Sequence, residues 1–398
     1  MAYLTLSRPK LQANFDHLEH LFSERGIDWG ITTKLLCGNK LFLNEVIRLG
    51  RLELLDSRIS NLRAIKELSP EAQTVYIKPP ASALIEDLVT WADVSFNTEL
   101  ETIRAISAEA VRQDRQHLII IMIEMGDLRE GVLREDIEAF YAQVFQLPNI
   151  KIIGIGTNLN CLNGVMPSED KLIQLGLYKK IIELKNNVEI QWVSAGTTVT
   201  IPLLIAGGLP QAINHFRIGE ALFFGQDLVA EGTFKDMHDD VLELHAQIIE
   251  LAEKPTMPSG TLGKNPFGVT AEAESSGSTS HRAILDVGYL DISPQYLEPV
   301  DERLEVIGGS SDMLVLNVGE NEAGLKVGSY VKFRLKYMGA LHLMNSPYID
   351  KFVLDESGEQ IGELAEAQRE GPPSASTPLP ASPARREEPK ALVHDSAE

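Results

Sequence analysis

A lysine, Lys34, closes the run "GITTK", and other apolar runs also end in polar residues. They are Arg129 in "GDLREG", Asn158 in "GTNLN", the turn Ser194, Gly196, Thr197 and Thr198 in "VSAGTT", and Arg217 inside "FRIGE". A lysine amine condenses with aldehydes. Arginines hold carboxylates and phosphates through forked N–H donors, and a Ser-Gly-Thr turn offers hydroxyls and amides to an anion. The set describes a site for an anionic ligand that presents an electrophile to a lysine. Each residue taken singly has a plainer reading. A strand-end lysine snorkels to water, and a strand-end arginine is commonly ion-paired at the surface.

What gives the set meaning is the order of the elements that carry it. Short apolar runs fall at 28–34, 52–57, 74–80, 92–97, 118–126, 150–159, 190–196 and 215–225, and segments with helical apolar spacing lie between them. The stretch 97–113, starting at Asn97, and the stretch 134–147 read as half-exposed helices. Eight β-α units predict an α/β fold, a (β/α)8 TIM barrel over residues 1–225. A doubly wound sheet is the alternative, with fewer strands and a crossover. In a barrel the strand ends converge on one mouth, so Lys34, Arg129, Asn158, the Ser194–Thr198 turn and Arg217 would meet there. Pyridoxal phosphate, an aldehyde that carries a phosphate, fits such a mouth. Past Gly225 the runs are strand-like, which predicts a C-terminal β-rich domain over 226–364. Within it, 254–281 is dense in Pro, Gly and Ser and reads as an excursion loop. Residues 365–398 are proline-rich with little aliphatic content and read as a disordered tail.

The motifs in this order resemble the alanine racemase family of fold type III pyridoxal phosphate enzymes, and in detail its ornithine racemase-like branch, from about residue 3 to residue 353. The resemblance implies roles for individual residues. Lys34 matches the Schiff-base lysine and one catalytic base. Arg217 matches the arginine paired with the pyridine nitrogen, and Arg129 the arginine that orients the substrate carboxylate. Ser194, Gly196, Thr197 and Gly219 fall at cofactor-binding turns, and Asn158 stands where the family has a ring-stacking histidine. Tyr289 of "DVGYLD" matches the second catalytic base. Ser311 and Asp312 of "GGSSDM" match a substrate-binding loop that enters the partner's site, so a homodimer with shared sites is implied. The implied reaction is two-base α-proton transfer on an amino acid, with ornithine or another basic one expected and alanine or broad specificity as the alternative. Glu124, Asp127 and Glu130 are candidate counter-charges for a distal ammonium. Two departures stand out. "KLLCGN" has no tyrosine shortly after the lysine, and Leu341 falls where the family's C-terminal cofactor tyrosine lies, with Tyr337 and Tyr348 nearby.

Composition narrows the classes further. The chain has 398 residues, 44% of them hydrophobic, and a net charge of −21, which opposes binding to nucleic acid or an anionic membrane. Two cysteines, Cys37 and Cys161, are too few for a disulfide framework or a thiolate metal cage, and with no signal-peptide pattern they predict a cytoplasmic protein. No metal site is expected. His17 and His20 share a helical face with no third ligand in view. "GTLGKNPFG" lacks the hydroxyl residue after Gly-Lys that a phosphate loop requires. Cys161 reads as a small buried hydrophobe. Two rival functions remain. A fold type III decarboxylase would place a carboxylate at the ring nitrogen where this chain has "FRIGE". A pyridoxal phosphate carrier would lack the β-domain motifs.

Overall fold

The computed structural model describes residues 1–264 and 277–363. The predicted tail, 365–398, and residues 265–276 of the predicted loop lie outside the described residues. β1 (Tyr3–Ser7) and α1 (Arg8–Ser23) lead into eight strands that close a parallel barrel in chain order. These are β2 (Asp28–Thr32), β3 (Glu53–Asp56), β4 (Gln73–Tyr76), β5 (Val94–Asn97), β6 (His117–Met122), β7 (Ile150–Gly156), β8 (Trp192–Gly196) and β9 (His215–Ile218), and β9 pairs back onto β2. Every residue of β3, β5, β8 and β9 is buried, as expected of strands covered on both faces. Leu55, Val75, Val94, Phe96, Ile120, Met122, Ile153 and Trp192 form the apolar fill inside the barrel.

Helices α2 (Lys40–Arg48), α3 (Ile59–Leu68), α4 (Ile85–Trp91), α5 (Leu100–Arg112), α6 (Ile137–Val144), α7 (Glu169–Asn186), α8 (Ile201–Ile205) and α9 (Glu220–Phe224) alternate with the strands. Asn39 caps α2, its side chain accepting from Phe42 N at 3.0 Å. Asn97 does not start α5. It ends β5, and its Nδ2 donates to the carbonyl and the hydroxyl of Ser95, both at 2.9 Å, while its buried Oδ1 has no partner among the described residues.

After a short hairpin, β10 (Gln226–Asp227) and β11 (Gly232–Thr233), come β12 (Leu242–Pro255), β13 (Thr279–Leu285), β14 (Leu297–Pro299), β15 (Glu305–Gly309), β16 (Leu314–Gly319), β17 (Tyr330–Leu335), α10 (Tyr337–Asn345), β18 (Asp350–Leu354) and β19 (Gln360–Glu363). The strands after the hairpin join β1 in a nine-stranded sheet with the path β15-β16-β13-β12-β1-β18-β19; β17 flanks β12 and carries β14. One boundary of the sequence division therefore shifts. Residues 3–7, grouped with the barrel in 1–225, pair antiparallel with β12 and parallel with β18, and Tyr3 stacks on His245 at 4.6 Å. The pairing of β12 with β13 runs out to Pro255 and Thr279, so the two ends of the 254–281 excursion belong to the sheet. No helix was expected after β17. There α10 packs against the turn that carries Lys34 and sets Tyr337 at the barrel mouth.

Candidate active site

A cavity of about 730 Å³ opens at the carboxyl ends of the barrel strands, and Lys34, Arg129, Asn158, Thr197, Arg217 and Gly219 all line it. Ser194 and Gly196 do not line it: both are buried, and Ser194 reaches the site only through its bonds to Arg217. Tyr289, Ser311 and Asp312 do not line it. They gather elsewhere, around Gly288, where an added Cβ would meet Ser311 O at 2.3 Å and the Asp312 carbonyl carbon at 2.4 Å. Cys161 is exposed at the cavity rather than buried.

Lys34 opens a short 3-10 turn, Lys34–Leu36, just after β2. The preceding Thr33 anchors that turn, its hydroxyl donating to Leu55 O at 3.1 Å and to Asp56 Oδ2 at 2.9 Å. Asp56 also accepts from Arg58 N at 2.9 Å and Asn61 Nδ2 at 3.1 Å. Burial nonetheless raises its carboxyl above the usual range. The Lys34 ammonium projects into the cavity, 5.7 Å from the ring centre of Tyr337.

Arg217 is 7% exposed, and its partners account for both Nη groups. Nη1 donates to Ser194 O and Oγ at 2.7 Å each; Nη2 donates to Thr157 O at 2.9 Å and Asn158 Oδ1 at 2.6 Å. A guanidinium has five N–H donors, so Nε–H is the one without a partner among the described residues. Burial lowers this group to about 10, against the opposing charges of Cys161, Glu130 and Glu53, so it stays cationic at neutral pH. Asn158 continues the chain by donating to Glu130, and Glu130 pairs with Arg129, whose Nη2 lies 2.7 Å from Oε1. The two arginines thus stand at opposite ends of one hydrogen-bonded line.

The three candidate counter-charges are committed elsewhere. Glu124 accepts from the backbone of Gly126 and Leu128, and Asp127 gathers the backbone N–H groups of Cys161, Leu162, Asn163 and Val165. Glu130 is held by Arg129 and Asn158. Sequence reasoning missed the cavity carboxylate that accepts no hydrogen bond from the described residues, Glu220, which directly follows "FRIG". Burial raises its carboxyl, and the nearby Lys34 charge opposes that rise. It also missed Lys78, whose ammonium burial lowers. Of the two nearby tyrosines, Tyr348 is 71% exposed. Tyr337 lines the cavity, and its buried hydroxyl has no partner among the described residues. Burial, followed by the Glu220 charge, raises the Tyr337 phenol.

Comparison with known proteins agrees with this architecture. Residues 48–227 match the family described as alanine racemase, N-terminal domain; Lys34 precedes that span. An ornithine racemase of Acetoanaerobium sticklandii is 34% identical over 352 residues, which cover 88% of this chain and 99% of the relative. A lysine racemase of Thermotoga maritima is 32% identical, covering 87% of this chain and 97% of the relative. Among solved structures, an alanine racemase of Clostridium difficile superposes with a TM-score of 0.71 at 14% identity, covering 90% of this chain and 97% of that one. A D-threonine aldolase of Filomicrobium marinum reaches 0.67 at 14%, covering 91% and 93%. At such identity the two structures speak to the fold. The fold, the cavity at the strand ends and the full-length similarity to two racemases identify this chain as a member of the alanine racemase family, an amino-acid racemase.

Proposed function

We propose that this racemase uses pyridoxal phosphate and acts on basic amino acids. The observation that carries the cofactor is the unspent bonding capacity around one cavity: the Lys34 amine, the Arg217 Nε–H and the partnerless Tyr337 hydroxyl. These groups suit an anionic aldehyde. Lys34 would hold it, with Arg217 at its ring nitrogen and Thr197, Gly219 and Tyr337 available to its phosphate. When bound, the cofactor supplies an electron sink that acidifies the substrate α-hydrogen.

This chain's residues then orient the substrate and move protons. Arg129, half-exposed at the mouth, takes the substrate carboxylate in exchange for Glu130. The Lys34 amine accepts or returns the α-proton on one face. Tyr289 serves the other face, and because it does not line the cavity of its own chain, it is supplied by a second copy in a homodimer. A permanently cationic Arg217 disfavours a proton on the ring nitrogen.

The substrate class rests on Glu220 and on the two relatives that are an ornithine and a lysine racemase. An extended ornithine side chain spans roughly 5 Å from Cα to its ammonium. That reach suits a carboxylate within electrostatic range of Lys34. The test is a panel of ornithine, lysine, arginine, serine, alanine and norvaline in heavy water. Ornithine and lysine should exchange and lose optical rotation with kcat/KM at least about tenfold above alanine. Glu220→Gln should lower kcat/KM for ornithine roughly tenfold and leave norvaline, its uncharged analogue, nearly unchanged. Equal rates on alanine and ornithine would refute charge selection. Carbon dioxide release would mark a decarboxylase, and neither reaction a carrier.

A further inference from the structure

Below Arg217 the barrel interior contains a line of polar side chains that none of the roles above requires. Ser194 Oγ, at 2.7 Å from Arg217 Nη1, is also 2.7 Å from His215 Nδ1; His215 Nε2 is in turn 2.8 Å from Glu53 Oε1. Ser194 and His215 have no exposed surface, and Glu53 has 9%. The donor inventory constrains the protons. A guanidinium can only donate, so Ser194 Oγ accepts from it, and its own hydrogen is then available to Nδ1 when that nitrogen carries no proton. In that arrangement a neutral His215 ring accepts at Nδ1 and donates Nε2–H to the Glu53 carboxylate; a ring protonated at both nitrogens would instead donate to both neighbours, and either way Glu53 accepts at the far end of the line. Serine, histidine and carboxylate in this order also make a hydrolytic triad. Here the hydroxyl is fully enclosed and held by Arg217, which closes the nucleophilic role.

The walls around the line are shaped to it. The Trp192 ring stacks on His215 at 4.3 Å with 19° between the planes. On β2, a Cβ added to Gly30 would come within 2.8 Å of the Glu53 carboxylate and 2.3 Å of Leu55, so glycine leaves the space the carboxylate occupies. The other charged or titratable groups acting on Arg217, which are Glu130, Arg129 and Cys161, line the cavity, and Asp28 stands behind Trp192 as the acceptor of its Nε1–H at 3.3 Å. Glu53 is the carboxylate on the closed side.

We propose that Ser194, His215 and Glu53 form a positioning relay for Arg217: they lock its Nη1 group, leave Nε–H for the cavity, and supply a buried counter-charge to the guanidinium from beneath. The proposal rests on the reading that Arg217 pairs with the cofactor ring nitrogen. A polar network of this kind, once satisfied, fixes geometry more tightly than its separate bonds would.

The test compares wild type, Glu53→Gln and His215→Phe after loading with pyridoxal phosphate. The readouts are the visible absorption band from pH 6 to 9, the cofactor dissociation constant by equilibrium dialysis, and kcat and KM separately. Glu53→Gln keeps an acceptor of the same shape and removes only the charge. It should shift the pH midpoint of the absorption band, weaken cofactor binding roughly tenfold, and lower kcat with little change in KM. His215→Phe should do more of each, and if it does not fold, Glu53→Gln decides alone. A Glu53→Gln protein with the wild-type spectrum, cofactor affinity and kcat would overturn the relay. Wild-type protein that takes up no cofactor would overturn both the relay and the reading beneath it.

Discussion

Two lysines line the cavity, and their surroundings give them different claims to the chemistry. Burial lowers the Lys78 ammonium, and its Nζ lies 5.9 Å from the Tyr76 ring centre, so it is a rival amine at the same cavity. Position favours Lys34. It follows β2, whose Gly30 is paired with Arg217 of β9, whereas Lys78 follows β4, two strands further round the barrel. Gly219 also packs against Thr32 of β2, so a ligand held by Arg217 and Gly219 sits beside the strand that carries Lys34. Borohydride treatment of the cofactor-loaded protein should therefore attach the label to the peptide containing Lys34. Lys34→Ala should abolish the attachment and Lys78→Ala should preserve it. A label on Lys78 would reassign the site. The sequence pattern pointed to Lys34 because the residue closes a strand, but it had no means of raising Lys78 as a rival, since "YIKPP" reads as an ordinary strand end.

At the scale of elements, two loops build the rim of the cavity, and Asp127 ties them together. Its carboxylate is buried to 1% exposure and receives four backbone N–H groups from the loop after β7, while its own loop after β6 carries Arg129 and Glu130. Burial by itself would raise this carboxyl. The N–H groups of Leu162, Asn163, Val165 and Cys161 outweigh that and hold it below the usual range. A carboxyl depressed in the folded state gives stability that is complete above its unfolded value of about 3.9 and is lost as pH falls through the lower folded value. Asp127→Asn should cost about 1–3 kcal/mol, read as a lower midpoint in urea at pH 7, and should raise substrate KM as Arg129 loosens. The variant should also lose part of the wild type's steep acid destabilisation below about pH 4. An unchanged midpoint would show the clip to be dispensable. The motif "GDLREG" made Arg129 legible, but Asp127 looked like a counter-charge for substrate, because its donors lie 34–38 residues further on. The same distance effect hid the place of β1. Its partners near residues 245 and 350 lie more than 230 residues away along the chain. The barrel strands were legible because each is a local aliphatic run, and α10 was missed because "YMGALHLMN" looks like the end of a strand followed by a turn.

At the scale of the whole molecule, the two halves of the proposed reaction sit on different surfaces of one chain. Lys34 and Arg217 face the barrel cavity, whereas Tyr289 and the Ser311–Asp312 loop cluster on the β-rich sheet domain, outside that cavity. Exposed apolar side chains accompany both surfaces. Leu128 and Leu162 flank Arg129 and Cys161 at the cavity, and Leu290 and Met313 flank Tyr289 and Asp312. Such side chains at two complementary places suit a two-fold pairing in which each sheet domain covers the other chain's barrel mouth. A two-fold axis makes the arrangement countable, because the same exchange occurs twice. A Lys34→Ala chain and a Tyr289→Phe chain should each be nearly inactive alone. Their heterodimer would contain one doubly altered site and one intact site. Random mixing by co-expression makes about half of all dimers mixed, each with one good site of two, so the mixture should recover about a quarter of wild-type activity. If heterodimers verified by mass are no more active than the separate variants, both residues serve the same chain's site. Tyr289 would then have to reach its own cavity by a movement of the sheet domain.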